Sequence, residues 1–385
     1  MEYIKNIKKS YKLKYNITYY IIIAVVAVMS VMSMTGDLKR STMGLLARIA
    51  YSIIMALSLN LVVGFLGELS LGHGGFMCVG AYIGCFCANY LHNVIGSPLL
   101  VLIIAMVIGG ISAAFFGFII GLPALRLKGD YLAIVTLAFG EIVRNIFKNL
   151  PWFGGAMGLS SVTYSADSLF IVGFVVVLLV LFLSQNLIRS KHGRAVTAIR
   201  DNEIAAKAMG INVTFYKLLI FVISAAFAGV AGVIYGHFTT PVMYSFFSYN
   251  YSIEVLVMVV LGGMASLNGS IIAATLITVV NFLLQDNLSG DLAALRLLIY
   301  ALILIVVVLF NNSPTFKPIR EKYSLRKLLE KLSSRRKPGT VTDDKADWNK
   351  IESKIPMDEV LSVDFRTEEA TPAVEAEEKE EKNNG

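Results

Sequence analysis

Between residues 17 and 310 the chain carries only 24 charged side chains in 294 positions. The rest crowd the two ends, with six in residues 1–16 and 31 in residues 311–385. Soluble domains carry about 25% charged residues, so a stretch this long and this poor in charge cannot be one solvated domain. Roughly 20 apolar residues span a bilayer as a helix, which leaves room for about ten spans with short loops. The expected fold is therefore all-α: a polytopic membrane bundle of about ten transmembrane helices, within a range of eight to ten. The chain divides into a basic head (1–16), a transmembrane domain (17–310), a basic juxtamembrane segment (311–337) and an acidic tail (338–385).

This division excludes several functions. No room is left for a soluble catalytic domain, and Lys never follows Gly, so there is no phosphate-binding Gly-x-x-x-x-Gly-Lys loop. No cofactor is expected. Cys78, Cys85 and Cys87 share one apolar Gly-rich segment without a Cys-x-x-Cys pair, and are taken as small hydrophobes, not metal ligands. The first apolar run lacks a small-x-small cleavage site and reads as an uncleaved anchor.

Spans are expected at 17–35, 43–66, 70–91, 97–122, 130–147, 168–187, 214–239, 250–265, 268–286 and 291–310. Segments 70–91 and 130–147 could be full, broken or re-entrant. Orientation follows from Lys and Arg in the loops. One side collects Lys5 to Lys14, Arg126, Lys128, and Arg189 to Lys207; the other has mainly Lys39, Arg40 and Lys148. Both termini are thus expected in the cytoplasm. The net charge of +7 is an orientation signal, and nothing about it calls for nucleic acid. Nine bases against two acids in 311–337 suit anionic lipid headgroups. Six bases against fourteen acids in 338–385 predict a disordered tether.

The longest inner loop, 189–213, should form one short amphipathic helix. Gly193 can open a turn, Ala195 to Met209 is helix-permissive, and Gly210 stands where a helix would stop. Ile199, Ile204, Ala205, Ala208 and Met209 fall near one face; Arg200, Asp201, Glu203 and Lys207 fall on the other. A plain interfacial helix is the alternative.

Residues 64–84 contain seven glycines. Gly72, Gly74 and Gly75, with Ser70 and His73 among them, suggest a helix break. Its free backbone N–H groups would suit a carboxylate. The alternative is tight packing, with Ser70 and His73 repairing backbone hydrogen bonds. Gly263-Met-Ala-Ser266-Leu-Asn-Gly269 echoes Gly67-Glu-Leu-Ser70-Leu-Gly72, as an internal repeat or as two similar turns. Asn60, Asn281 and Gln285 could bond across helices. Glu68, Glu254 and His237 read as interfacial, and Glu141 with Arg144 as a local ion pair.

The string Glu203-Ile-Ala-Ala-Lys-Ala-Met-Gly210 resembles the Glu-x-Ala-Ala-x-x-x-Gly signature of ABC importer permeases. With Ala56–Tyr82, Gly121–Arg144, GGAMGL at 154–159, Gly193–Gly232 and VLGGMASLNGSIIAA at 260–274, it resembles the branched-chain amino acid permeases, LivM type. The resemblance implies a pairing with a second related permease. It also implies two ABC ATPases on the cytoplasmic loops and an extracytoplasmic binding protein that delivers leucine, isoleucine or valine. Arg194, Arg200, Asp201, Glu203, Ala205, Ala206 and Gly210 would then form the ATPase-coupling face. Asn60, Gly67, Ser70, Gly72, His73, Gly74, Gly75, Gly263 and Ser266 would line the substrate path. Such a chain performs no covalent chemistry. An ion-coupled transporter, or a permease for urea or short amides, is the competing function.

Overall fold

The computed structural model describes residues 19, 22–26, 28–30, 40–127, 129–162, 164, 166–287, 302 and 305. All belong to one unit, Met1–Asn312. The basic head, both tail segments and most of the first and tenth expected spans lie outside the described residues.

Residues 40–287 form ten α-helices. They are α1 (Arg40–Asn60), α2 (His73–His92), α3 (Pro98–Ala124), α4 (Asp130–Asn149), α5 (Ala166–Arg189), α6 (Lys191–Asp201), α7 (Glu203–Ala208), α8 (Val213–Phe238), α9 (Tyr249–Gly262) and α10 (Leu267–Asn287). No strand occurs among the described residues beyond the isolated bridge between Leu159 and Val242. Among the described residues, six helices are long and apolar enough to cross a membrane: Ser41–Leu66, His73–His92, Pro98–Ala124, Ser168–Arg189, Val213–Phe238 and Leu267–Gln285. The other two expected spans in this range differ. α4 is unbroken but carries Asp130, Glu141, Arg144 and Lys148, and α9 has only 14 residues.

The segment at 70–91 is a continuous helix from His73 onward; the break precedes it. α1 runs into a fully buried π-helical turn, Leu61–Leu66, which ends at Gly67 with φ +81°. A left-handed residue at that point favours glycine. Residues 67–72 are not helical.

α3 shows how the bundle is solvated. Gly109, Ala113, Gly117 and Gly121 recur every four residues on its buried face. Ile103, Val107, Ile111 and Phe115, at the same spacing, are exposed. Small residues let helices approach where lipid supplies no hydrophobic drive between them. A Cβ on Gly80 would lie 2.2 Å from the carbonyl oxygen of Gly229, and one on Gly109 would lie 2.9 Å from that of Gly80. α2, α3 and α8 thus meet backbone to backbone. The exposed stripe is apolar surface of a size that water disfavours and hydrocarbon accepts.

The loops sort into two ends. Residues 67–68 meet α6, α7 and the start of α8 at one end. At the other, Asn89 bonds Ser160 and Val162, and Leu159 bridges Val242. His237 belongs to this second end. It is fully buried, with Nδ1 2.8 Å from the Val162 carbonyl, because the 159–162 strap folds over it.

Candidate functional site

The 189–213 loop forms two helices where one was expected. Ser190 caps α6, its Oγ accepting from the backbone N–H of His192 and Gly193. Gly193 is no turn: it lies inside α6, where a Cβ would come within 2.0 Å of the Ile188 carbonyl oxygen. Val196 and Ile199 turn inward. Asn202 then leaves the helix (φ −158°, ψ 103°), and its Oδ1 caps α7 by accepting from Ile204 and Ala205 at 3.1 and 3.0 Å. An N-cap Asn competes well for the chain at such a point, so it splits the stretch. Gly210 ends the pair at φ +80°.

The expected apolar face is divided by this break. Ile199 and Ala206 are buried against the chain's own bundle, whereas Ile204 is 79% and Met209 82% exposed. Ala205 and Ala208 are exposed beside them. Arg194 is exposed, its guanidinium 3.5 Å from the Arg189 carbonyl.

Arg200, Asp201 and Glu203 have internal partners. Arg200 donates to the Gly64 carbonyl at 3.3 Å and to Asp201 at 2.9 Å. Its stem lies on Gly67, where a Cβ would fall 2.8 Å from Arg200 Cγ. Lys217, at the start of α8, is 4% exposed. It donates to Glu68 at 2.5 Å and to Glu203 at 3.3 Å, and Lys207 reaches Glu203 at 2.8 Å. Glu68, at the end of its span, is therefore also a partner of the loop helices. One buried ammonium ties the 67–72 segment, α7 and α8 together.

Gly72, Ser70, His73, Gly74 and Gly75 form a second buried group. His73 Nδ1 lies 3.1 Å from Ser70 Oγ, and Nε2 2.7 Å from Ser224 Oγ. Ser224 Oγ donates its one proton to the Ser58 carbonyl at 2.7 Å. His73 thus bridges the two hydroxyls, one ring nitrogen facing each. The chain of bonds joins residues 67–72, α2, α8 and α1. Leu71 N–H donates to Thr136 Oγ1 and Gly74 N–H to Ser252 Oγ, at 3.1 and 3.0 Å. These N-terminal donors of α2 thus have oxygen partners from α4 and α9. A Cβ on Gly75 would lie 2.6 Å from Gly140 Cα. These contacts are those of the packing alternative, with His73 fully buried.

Asn60, at the end of α1, holds the second Gly-Ser turn. Its Nδ2 donates to Ser270 Oγ at 3.0 Å, and its Oδ1 accepts from Ala265 N–H at 3.1 Å. Ala265 sits at φ +64° and Gly263 at φ +89°. Ser266 Oγ accepts from Gly269 N–H at the start of α10. Gly263 and Ser266 therefore belong to a turn beside the π-helical turn, apart from His73. Glu141 and Arg144 do form the local ion pair.

Lys217, Thr136, Ser224, Ser58, Ser252 and Ser270 complete these networks, and none was singled out in the sequence. Most are lone hydroxyls in apolar runs, and the serines and threonine carry no local signature. Among the described residues no cluster could hold a metal ion.

Residues 41–308 match the family described as the branched-chain amino acid transport system permease component. The chain is similar to the high-affinity branched-chain amino acid transport system permease protein LivM of Escherichia coli. The identity is 37% over 281 residues, 64% of each chain. It is 38% identical over 267 residues to LivM of Salmonella typhimurium, 61% of each chain. The match therefore spans less than two thirds of the length of these relatives. The permease protein LivH of Salmonella typhimurium is 25% identical over 292 residues, which covers 70% of this chain and 92% of LivH.

Proposed function

We infer that this chain, which belongs to the branched-chain amino acid transport permease family, is the membrane-spanning subunit of a binding-protein-dependent ABC importer for leucine, isoleucine and valine. It moves substrate by alternating access, and ATP is bound and hydrolysed by partner subunits. The chain carries no cofactor and is not an enzyme.

The observation that carries this reading is the pair α6–α7. Two large apolar side chains, Ile204 and Met209, stand exposed on a short capped helix next to charged residues. An exposed apolar patch rimmed by charge suits insertion into a partner's groove. The expected partners there are two ABC ATPases. Arg194, Arg200, Asp201, Glu203, Ala205, Ala206 and Gly210 shape and hold this face. A second, related permease of the LivH kind pairs along the lipid-exposed surfaces, and an extracytoplasmic binding protein delivers the amino acid to the opposite end.

The clustering of 67–68, 189–217 and 263–266 at one end supports the expected topology, in which all three are cytoplasmic. The chain is then a multi-pass protein of the bacterial or archaeal inner membrane with both termini inside. Substrate would pass near Asn60, Gly67, Ser70, Gly72, His73, Gly74, Gly75, Gly263 and Ser266 once the buried networks rearrange. Two discrete packings of such networks are how a coupling helix can move a gate. Reconstitution with the ATPases, the second permease and the binding protein tests the reading. Leucine uptake should require ATP; uptake by this chain alone under an ion gradient would refute it.

A further inference from the structure

The end of the bundle remote from α6–α7 holds a cavity of about 370 Å³. Arg48 of α1, Tyr235 of α8, Glu254 of α9 and Gln285 of α10 line it. Its volume falls in the range of small-molecule sites, about 300–1,000 Å³. Arg48 lies 16 residues before Gly64 along one helical run, so the cavity is about 24 Å from the Arg200 contact at 1.5 Å rise per residue.

Two opposite charges, one from α1 and one from α9, are both bonded there by α10. Arg48 donates to Gln285 Oε1 at 2.9 Å, and its guanidinium lies 5.7 Å from the Phe238 ring centroid. Asn281 donates to Glu254 Oε1 at 3.2 Å. Asn281 and Gln285 are four apart on α10, hence neighbours one turn from each other. They hold the Arg48 guanidinium and the Glu254 carboxylate in the lining of one cavity, so that it offers one charge of each sign. Ser52, Tyr251 and Thr278 complete the polar part of the lining. The remaining wall is apolar: Phe246 stacks on Tyr235 at 4.1 Å, and Met258 is 1% exposed.

We propose that this cavity is a binding site for a free zwitterionic α-amino acid with an aliphatic side chain. Arg48 takes its carboxylate, Glu254 its ammonium, and Phe246 and Met258 its side chain. The inference rests on the amino acid permease reading above and adds a site to it. It also replaces the headgroup role expected for Glu254.

The test is tritiated leucine binding to the full chain with its partner permease and ATPases in nanodiscs, without nucleotide, beside ATP-driven uptake by the same complex in vesicles. Unlabelled leucine should compete, while leucine methyl ester and 4-methylpentanoate, each lacking one charge, should compete at least about tenfold more weakly. Arg48→Gln and Glu254→Gln should weaken binding by at least about tenfold, with Arg48→Lys recovering part of the loss. Thermal unfolding of each variant in the same nanodiscs guards against a folding artefact. Uptake that persists with binding unchanged in Arg48→Gln and Glu254→Gln overturns the site and leaves the permease reading standing. Complete absence of ATP-driven leucine uptake overturns the permease reading itself. Binding abolished whenever phosphatidylethanolamine replaces phosphatidylcholine assigns the cavity to a lipid headgroup and overturns the proposal.

Discussion

Replacing Lys217 by Met tests how the loop helices are tied to the bundle. Lys217 is 5% exposed at its side chain, with Glu68 at 13% and Glu203 at 20%. Both carboxylates reach the same ammonium, so they lie within about 6 Å of each other. Met keeps the length of the side chain and removes the charge. Two like charges at that separation repel by roughly 3 kcal/mol at an effective dielectric near 20. That agrees with about 3–5 kcal/mol for stripping one partner from a buried pair. Such a penalty is roughly a hundredfold in the population of the tied arrangement. The expected outcome is transport with a lowered ratio of leucine moved to ATP hydrolysed, because α7 no longer follows the 67–72 segment. The triple change Lys217→Met, Glu68→Gln and Glu203→Gln removes the repulsion and should restore most of the thermal stability, but not the coupling ratio. Transport stoichiometry and thermal unfolding in detergent are the assays. A Lys217→Met protein with both quantities unchanged would show that the triad holds nothing.

Further outcomes follow from the other contacts. Ile204→Asp with Met209→Asp should leave the isolated chain folded, since both side chains are exposed, yet abolish co-purification with the ATPase. Asn202→Ala removes the N-cap of α7 with its two hydrogen bonds, about 1 kcal/mol, and should lower uptake more than stability, read by transport beside thermal unfolding. Gly80→Leu forces a side chain into the Gly229 backbone and should abolish membrane-inserted protein, seen as loss of a monodisperse peak. His73→Ala leaves the hydroxyl of Ser224 and that of Ser70 each short of a partner and should destabilise by roughly 1–3 kcal/mol, measured by thermal unfolding.

The scarcity of charge between residues 17 and 310 was enough to place most helices, because hydrocarbon thickness demands about 20 apolar residues per crossing. The eight expected spans between 43 and 286 coincide with helices to within a few residues. Gly67 and Gly210 were also legible, since a left-handed helix terminus leaves glycine as its mark. The split at Asn202 was less so: an Asn followed by Glu and Ile fits a helix interior as well as a cap, and the surrounding fold decided between them.

What the sequence by itself determined is the class: an apolar helical bundle, its alternate small residues, and a polar loop with a short amphipathic string. These properties are local, fixed by periodicity and by the solvent each face must meet. Only the tertiary structure decided the partners. Glu68 and Lys217 are 149 residues apart, His73 and Ser224 are 151, and Arg48 and Gln285 are 237. A lone Lys near a span end looks like a snorkelling side chain, and a lone Ser in an apolar run looks like packing. Their roles depend on which helix lies alongside, and hydrophobic periodicity says which face is buried without saying against what.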